Sequence, residues 1–262
     1  MEQLTVVKIG GNIIDDAAKL ALFLKQFAQI EGRKILVHGG GKLATKLAEK
    51  LGIQQQMVDG RRITDAETLQ VVTMVYAGLI NKQIVASLQS MECNAVGVTG
   101  ADGNLITAHK REHATIDFGF VGDVDAVNTQ FLQLLLQQNL LVVIAPITQN
   151  KAAQLLNTNA DTIAQEIAKS MGHLYEVNLV YSFEKEGVLL DANNDATVIA
   201  QLNKTYYTEL KNNNIIFAGM LPKLDNAFKA LENGVSKVII GKAEKLHELL
   251  NGSAGTTIHI NN

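Results

Sequence analysis

Leu4-Thr5-Val6-Val7-Lys8-Ile9-Gly10-Gly11 is a β-rich run that ends on a lysine and a pair of glycines. A second run, Lys34-Ile35-Leu36-Val37, ends on His38-Gly39-Gly40-Gly41. Glycine at the end of a strand lets the backbone approach a ligand closely and turn N–H groups toward an anion. Two such cradles, with Lys8 in one and Lys223 far downstream, imply a phosphoryl group held between lysines from opposite ends of the chain.

Outward from these cradles, short β-rich runs alternate with helical patterns, which predicts a largely parallel sheet covered on both faces. Strands are expected at 4–9, 34–37, 95–99, 140–144, 176–181, 237–240 and 257–260. Helices are expected from Asp15/Asp16 to about Gln29, over 42–51, from Thr64 toward Gln89, and over 160–171 and 220–233. Thr64-Asp65-Ala66-Glu67 has the form of a capping box, with Thr64 as N-cap. Residues 101–125, with glycines at 103, 119 and 122, read as a β-hairpin over one edge of the sheet, of the kind that forms a substrate lid. No linker or repeat divides the chain. One domain over 1–262 is expected, in two lobes that share a sheet and divide near residue 172.

Composition narrows the function. The 262 residues carry 23 Lys+Arg against 26 Asp+Glu, a formal charge of −3 without a basic stripe, which argues against a nucleic-acid partner. No apolar stretch reads as a membrane span, and the N-terminus lacks a signal-peptide pattern. The lone Cys93 cannot form an internal disulfide and reads as a packing residue in a reducing, cytoplasmic setting. Six histidines show no metal-ligand spacing.

Further polar positions suit anions. Arg61 and Arg62 precede a helix N-terminus, where a guanidinium fork binds a carboxylate. Asn157-Thr158-Asn159-Ala160-Asp161 reads as a loop and helix start; Asn159 or Asp161 caps the helix, or Asn157 projects into a cleft while Asp161 holds lysine ammonium groups. Lys223 sits in the first turn of a helix, one residue after Pro222, where its charge opposes the dipole and stability gains nothing. There is no Walker A loop. Gly39-x-Gly41-x-x-Ala44, with Asp59 downstream, matches a dinucleotide fingerprint, so a nicotinamide-dependent oxidoreductase is a competing reading.

Together, Lys8-x-Gly10-Gly11, His38-Gly39-Gly40-Gly41, Gly60-x-Arg62-x-Thr64, Asn157-x-Asn159-Ala160-Asp161, Gly219-Met220-x-x-Lys223 and Gly255-Thr256-Thr257-Ile258 resemble the amino-acid kinase family, in order and over the whole length. The resemblance implies an α/β fold, a three-layer αβα sandwich whose N-terminal lobe binds an acyl-amino acid and whose C-terminal lobe binds ATP. It implies that Lys8 and Lys223 stabilise the transferring phosphoryl group and that Asp161 organises them. Gly10, Gly11, Gly40 and Gly41 would supply amides, Arg62 would take the substrate α-carboxylate and Asn157 would orient it. Mg2+ would enter with ATP, held mainly by phosphates, with no protein ligand named.

The implied reaction is ATP-dependent phosphorylation of the γ-carboxylate of N-acetyl-L-glutamate, in arginine biosynthesis, with N-succinyl-L-glutamate as the alternative substrate. The succinyl tail would require an extra cation, from Arg61 or from the 101–125 hairpin. The chain departs from the family pattern at Tyr181-Ser182-Phe183-Glu184-Lys185-Glu186-Gly187-Val188, where the usual aspartate position is unfilled. A start directly at the first strand, without an arginine-sensing N-terminal helix, leads us to expect an arginine-insensitive homodimer.

Overall fold

The computed structural model describes residues 1–58, 61–216 and 220–260. Its strands are β1 (Gln3–Ile9), β2 (Arg33–His38), β3 (Gln56–Val58), β4 (Arg61–Ile63), β5 (Ala95–Val98), β6 (Ile106–Lys110), β7 (Val121–Val127), β8 (Leu141–Ile144), β9 (Ile147–Gln149), β10 (Leu155–Thr158), β11 (Glu176–Phe183), β12 (Gln201–Leu202), β13 (Lys237–Lys242) and β14 (Thr256–Ile258). The helices are α1 (Gly11–Ile14), α2 (Ala17–Ala28), α3 (Gly41–Lys50), α4 (Ala66–Thr73), α5 (Asn81–Gln89), α6 (Thr129–Gln137), α7 (Ala160–Met171), α8 (Lys204–Asn212), α9 (Leu221–Glu232) and α10 (Leu246–Asn251).

Eight strands form one sheet in the order β12-β14-β13-β11-β1-β2-β8-β5. All pairings are parallel except β13 with β14. The sheet is central because β1 alternates between two cores. Leu4 and Val6 face one, with Ile163, Ile167 and Met171 of α7 and Phe228 of α9. Val7 and Ile9 face the other, with Phe23 and Phe27 of α2 and Leu246 and Leu249 of α10. By the period of two along a strand, Lys8 shares the α7 face with Leu4 and Val6. That parity aims the lysine at the start of α7.

β1 pairs with β2 on one side and β11 on the other, so the strand order reverses there. Ligands of open α/β sheets bind outside the carboxyl ends of the strands at such a switch point. Both glycine cradles lie at those ends.

Three expectations are corrected. Thr64 is not the N-cap of the long helix; Asp65 is, its side chain accepting from Thr68 N–H at 2.8 Å. Thr64 instead bridges to the hairpin, donating its N–H to Phe118 O (2.9 Å) and accepting from Phe120 N–H (2.6 Å). Asn157 lies on strand β10, between β7 and β9, rather than on a loop. An 18-residue window within residues 66–89 does have the mean hydropathy (1.4) of a membrane span, by length and composition only. Gln70, Asn81 and Lys82 interrupt that run and hide it. In the fold this helix buries Leu69, Val72, Val75, Ile80, Ile84 and Leu88 against the sheet.

Two features were not foreseen. The long helix passes through a π-helical segment, Met74–Ile80, between α4 and α5. The hairpin of β6 and β7 also does more than cover an edge: with β9 and β10 it closes into a small four-stranded barrel. Asp59, Gly60 and Gly219, which the motif reading used, lie outside the described residues.

Candidate active site

A cleft of about 520 Å³ opens at the carboxyl ends of β1, β2 and β11. Its chemistry centres on Asp161, in the first turn of α7. Lys8 Nζ lies 2.8 Å from Asp161 Oδ1, and Lys223 Nζ lies 3.4 Å from Oδ2. Local sequence explains the placement. Asn159 caps α7, its side chain accepting from the N–H groups of Asp161 (2.8 Å) and Thr162 (3.2 Å). Asp161 is thereby free of the capping duty and turns into the cleft, where the helix dipole favours its charge. Burial works against that charge, but Lys8 and Lys223 outweigh it and hold the carboxyl below its usual range.

Among the described residues four helices begin on the cleft, presenting Gly11 of α1, Gly41 of α3, Ala160 of α7 and Lys223 of α9 in their first turns. Helix N-termini attract anions through their N–H groups and dipole. Lys223 adds a charge that its own helix disfavours, which Asp161 offsets.

The glycines divide. Gly11, Gly40 and Gly41 line the cleft, whereas Gly10 caps α1 and does not reach the wall. Gly40 has φ +146°, and a Cβ there would lie 2.2 Å from Ile80 Cδ1 and 3.2 Å from the Tyr76 ring. Glycine is required at that position by conformation and by space.

Arg62, on the β3–β4 ribbon, enters the cleft with its guanidinium fixed in place. It donates to Gly41 O (3.0 Å), Thr45 Oγ1 (2.8 Å) and Gln55 Oε1. Asn157 donates to Thr64 Oγ1 at 3.0 Å. That bond ties β10 to the point where the hairpin meets the long helix.

Sequence reading missed Tyr181 and Arg111. Tyr181 sits beside Lys8 in the register of β11 and β1 and donates to the Asp161 carbonyl at 3.4 Å. Burial and the nearby Asp161 and Glu166 charges push its phenol pKa far up, so it stays neutral. Register with Lys8 was the available signal. Arg111 reaches the wall from the hairpin, with its Nε 3.1 Å from both carboxylate oxygens of Asp123. No local motif announces it.

Among the described residues, no group of three or more His, Cys, Asp or Glu side chains is arranged to hold a metal. The cleft lining supplies cations from Lys8, Arg62, Arg111 and Lys223.

The family model for the amino acid kinase family matches residues 3–242. An acetylglutamate kinase from Cytophaga hutchinsonii is 55% identical over 252 residues, covering 96% of each chain. An acetylglutamate kinase from Parabacteroides distasonis is 52% identical, covering 95% of this chain and 97% of its own. The solved structure of smu.665 from Streptococcus mutans superposes with a TM-score of 0.78 at 24% identity, over 98% of this chain and 99% of that one.

Proposed function

Because the chain belongs to the amino acid kinase family, we propose that it transfers the γ-phosphoryl group of ATP to the γ-carboxylate of N-acetyl-L-glutamate. The products are N-acetyl-L-glutamyl 5-phosphate and ADP, a step of arginine biosynthesis. The observation that carries the assignment of residues is the sharing of Asp161 by Lys8 and Lys223 within one cleft.

The attacking group is a side-chain carboxylate with an ordinary pKa of about 4, ionised at neutral pH. It needs no general base. A carboxylate oxygen forms a bond to the γ-phosphorus while the bond from that phosphorus to the β,γ-bridging oxygen breaks, and ADP departs with the electron pair. The barrier lies in bringing two anions together in line. Lys8 and Lys223 neutralise the transferring group and the departing diphosphate, and Asp161 keeps both ammonium groups at the reaction centre. Gly11, Gly40 and Gly41 offer amides from the wall, with Gly10 next to Gly11 in the first cradle. Arg62 takes the α-carboxylate, and Asn157 orients the substrate. Magnesium would enter with ATP and would neutralise phosphate charge, while Lys8 and Lys223 supply the protein's own cations.

This assigns the acyl-amino acid to residues 1–172 and ATP to residues 173–262. Arg111 is the cation that a succinyl tail would call for, but Asp123 already engages its guanidinium. A neutral acetyl group therefore suits this wall better. A homodimer is part of the same reading, supported by the exposed Met74 and Leu79 on the long helix. A cytoplasmic setting is supported by the free Cys93.

Trapping the acyl phosphate with hydroxylamine, in the presence of ATP and N-acetylglutamate, tests the reaction directly. Hydroxamate is expected with the acetyl compound and at a lower rate with the succinyl one; equal or better use of the succinyl compound overturns the acetyl assignment.

A further inference from the structure

His38 is fully buried at the end of β2, just behind the second glycine cradle. Its Nδ1 lies 2.8 Å from Gly39 O, and its Nε2 lies 3.3 Å from Nδ2 of Asn81, the first residue after the π-helical segment. Asn81 is buried too, and its own surroundings fix which way its amide points. One side faces Val143 O at 3.1 Å, a pure acceptor. The other faces the Lys82 ammonium at 3.0 Å, a pure donor. The NH2 must therefore be on the side of Val143 and His38, and the carbonyl on the side of Lys82. His38 Nε2 thus meets a donor and must accept, which leaves the ring proton on Nδ1, facing the Gly39 carbonyl. Every donor in the cluster then has an acceptor.

This proton fixes the orientation of a peptide in the cleft wall. The Gly39 carbonyl points inward at the buried ring. In a planar trans peptide the following N–H points the opposite way. The Gly40 N–H is consequently turned from His38 toward the cleft that Gly39, Gly40 and Gly41 line. If the ring proton moved to Nε2, two acceptors would face each other at Nδ1 and Gly39 O, and a reversed peptide would show a carbonyl to the phosphoryl group.

The helix is seated to hold this arrangement. Ile80 and Tyr76, from the π-helical segment, fill the space beside Gly40 where a side chain would stand. Asn81 packs so closely under the sheet that a Cβ at Gly97 would lie 2.0 Å from its Oδ1. A π-helical turn brings residues 76, 80 and 81 onto one face, and such turns recur at functional sites.

We propose that Asn81 is a positioning residue for phosphoryl transfer, acting through the tautomer of His38 to keep the Gly40 amide aimed at the transferring group. The inference rests on the kinase reading of the cleft. Among the described residues, the charged group acting on the ring is Lys82 of α5. Burial first, and Lys82 with it, hold the His38 pKa down at about 4, although the bond to Gly39 O pulls the other way. The ring of the native protein is thus neutral throughout the working range.

Nitrogen NMR of the full chain reads the tautomer without any turnover. The wild type is expected to carry the proton on Nδ1 of His38 from about pH 6 to 9. In Asn81→Asp a carboxylate replaces the donor beside Nε2 and raises the His38 pKa. Below that new pKa both nitrogens are protonated and the Gly39 bond survives. Above it the carboxylate draws the remaining proton to Nε2, and kcat falls on the order of 100-fold. The wild type lacks this pH step, and a merely structural role would lower stability without creating it. An Nε2–H tautomer in the wild type, or a wild-type pH profile in Asn81→Asp, overturns the proposal.

Should Asn81→Asp fail to fold, His38→Asn against His38→Leu decides the question. The asparagine keeps an N–H where Nδ1 stands and retains most of kcat, while the leucine loses on the order of 100-fold; equal kcat values overturn the proposal. A wild type that forms no acyl phosphate refutes the kinase reading instead, with the tautomer result standing apart.

Discussion

Lys8 and Asp161 meet at 2.8 Å although one ends a β-strand and the other opens a helix far along the chain. Strand parity turns Lys8 toward the face that α7 covers, and capping by Asn159 leaves Asp161 free to answer it. The carboxylate then holds Lys223 as well, at 3.4 Å, so two ammonium groups that would repel share one anion.

Asp161→Asn is expected to lower kcat on the order of 100-fold by releasing both lysines from the reaction centre. It also gives a pH signature. The folded-state pKa of Asp161 is depressed, so its contribution to stability is fully present above the ordinary carboxyl value of about 4 and is lost as pH falls through the folded pKa. Urea midpoints of wild type and Asp161→Asn should differ by a constant amount near neutrality and converge in acid. Curves that stay parallel down to acid would remove the ionised pair from the account.

Lys8→Ala removes the cation that the proposed reaction sets against the transferring phosphoryl group. A kcat loss on the order of 100-fold or more is expected, with KM values moving less, because the contact strengthens in the transition state. Steady-state kinetics with both substrates varied separates the two. A variant with normal kcat and a raised KM for ATP would make Lys8 a ground-state binding residue only.

Arg62→Lys keeps the charge but loses the planar fork that Gly41 O, Thr45 and Gln55 hold in register. KM for the acyl-glutamate should rise on the order of 10-fold while kcat changes little. An unchanged KM takes Arg62 out of the substrate site.

Gly40→Ala and Gly10→Ala make a contrasting pair. At Gly40 the added methyl would meet Ile80 at 2.2 Å, with φ at +146°. The expected destabilisation is about 1–3 kcal/mol or more. At Gly10, φ is −83° and nothing lies within 4 Å of the added Cβ, so stability should be nearly unchanged. Thermal denaturation of both proteins checks this; a stable Gly40→Ala would mean that the long helix yields to the cradle rather than seating it.

Most of the sheet was legible locally. The β-rich runs leading to Lys8 and His38, the hydrophobic spacing of 163, 164, 167, 168 and 171, and the glycine clusters each carry their meaning within a few residues. Thr64 shows where such reading fails. Thr-x-x-Glu fits a capping box, but Asp65 is equally able to cap, and the contest is decided by the hairpin, which occupies Thr64 through its backbone. The strand holding Asn157 was hidden because its neighbours, β7 and β9, come from elsewhere in the chain. The 101–125 hairpin was read as a possible source of a cation, but nothing local singles out Arg111 until the hairpin folds over the cleft.

What the sequence by itself determined was the inventory and its order: two glycine cradles after two strands, a lysine at each end of the chain, an arginine before a long helix, and Asn159 ahead of Asp161. These are properties of residue type and short-range spacing, which backbone propensity and side-chain chemistry translate directly. Tertiary structure alone decided that Asp161 stands between Lys8 and Lys223, that Gly11 rather than Gly10 lines the cleft, and that Asn81 sets the proton of His38. Distances of that kind depend on which face a strand shows and which helix covers it, and those are settled only when the two cores close around the sheet.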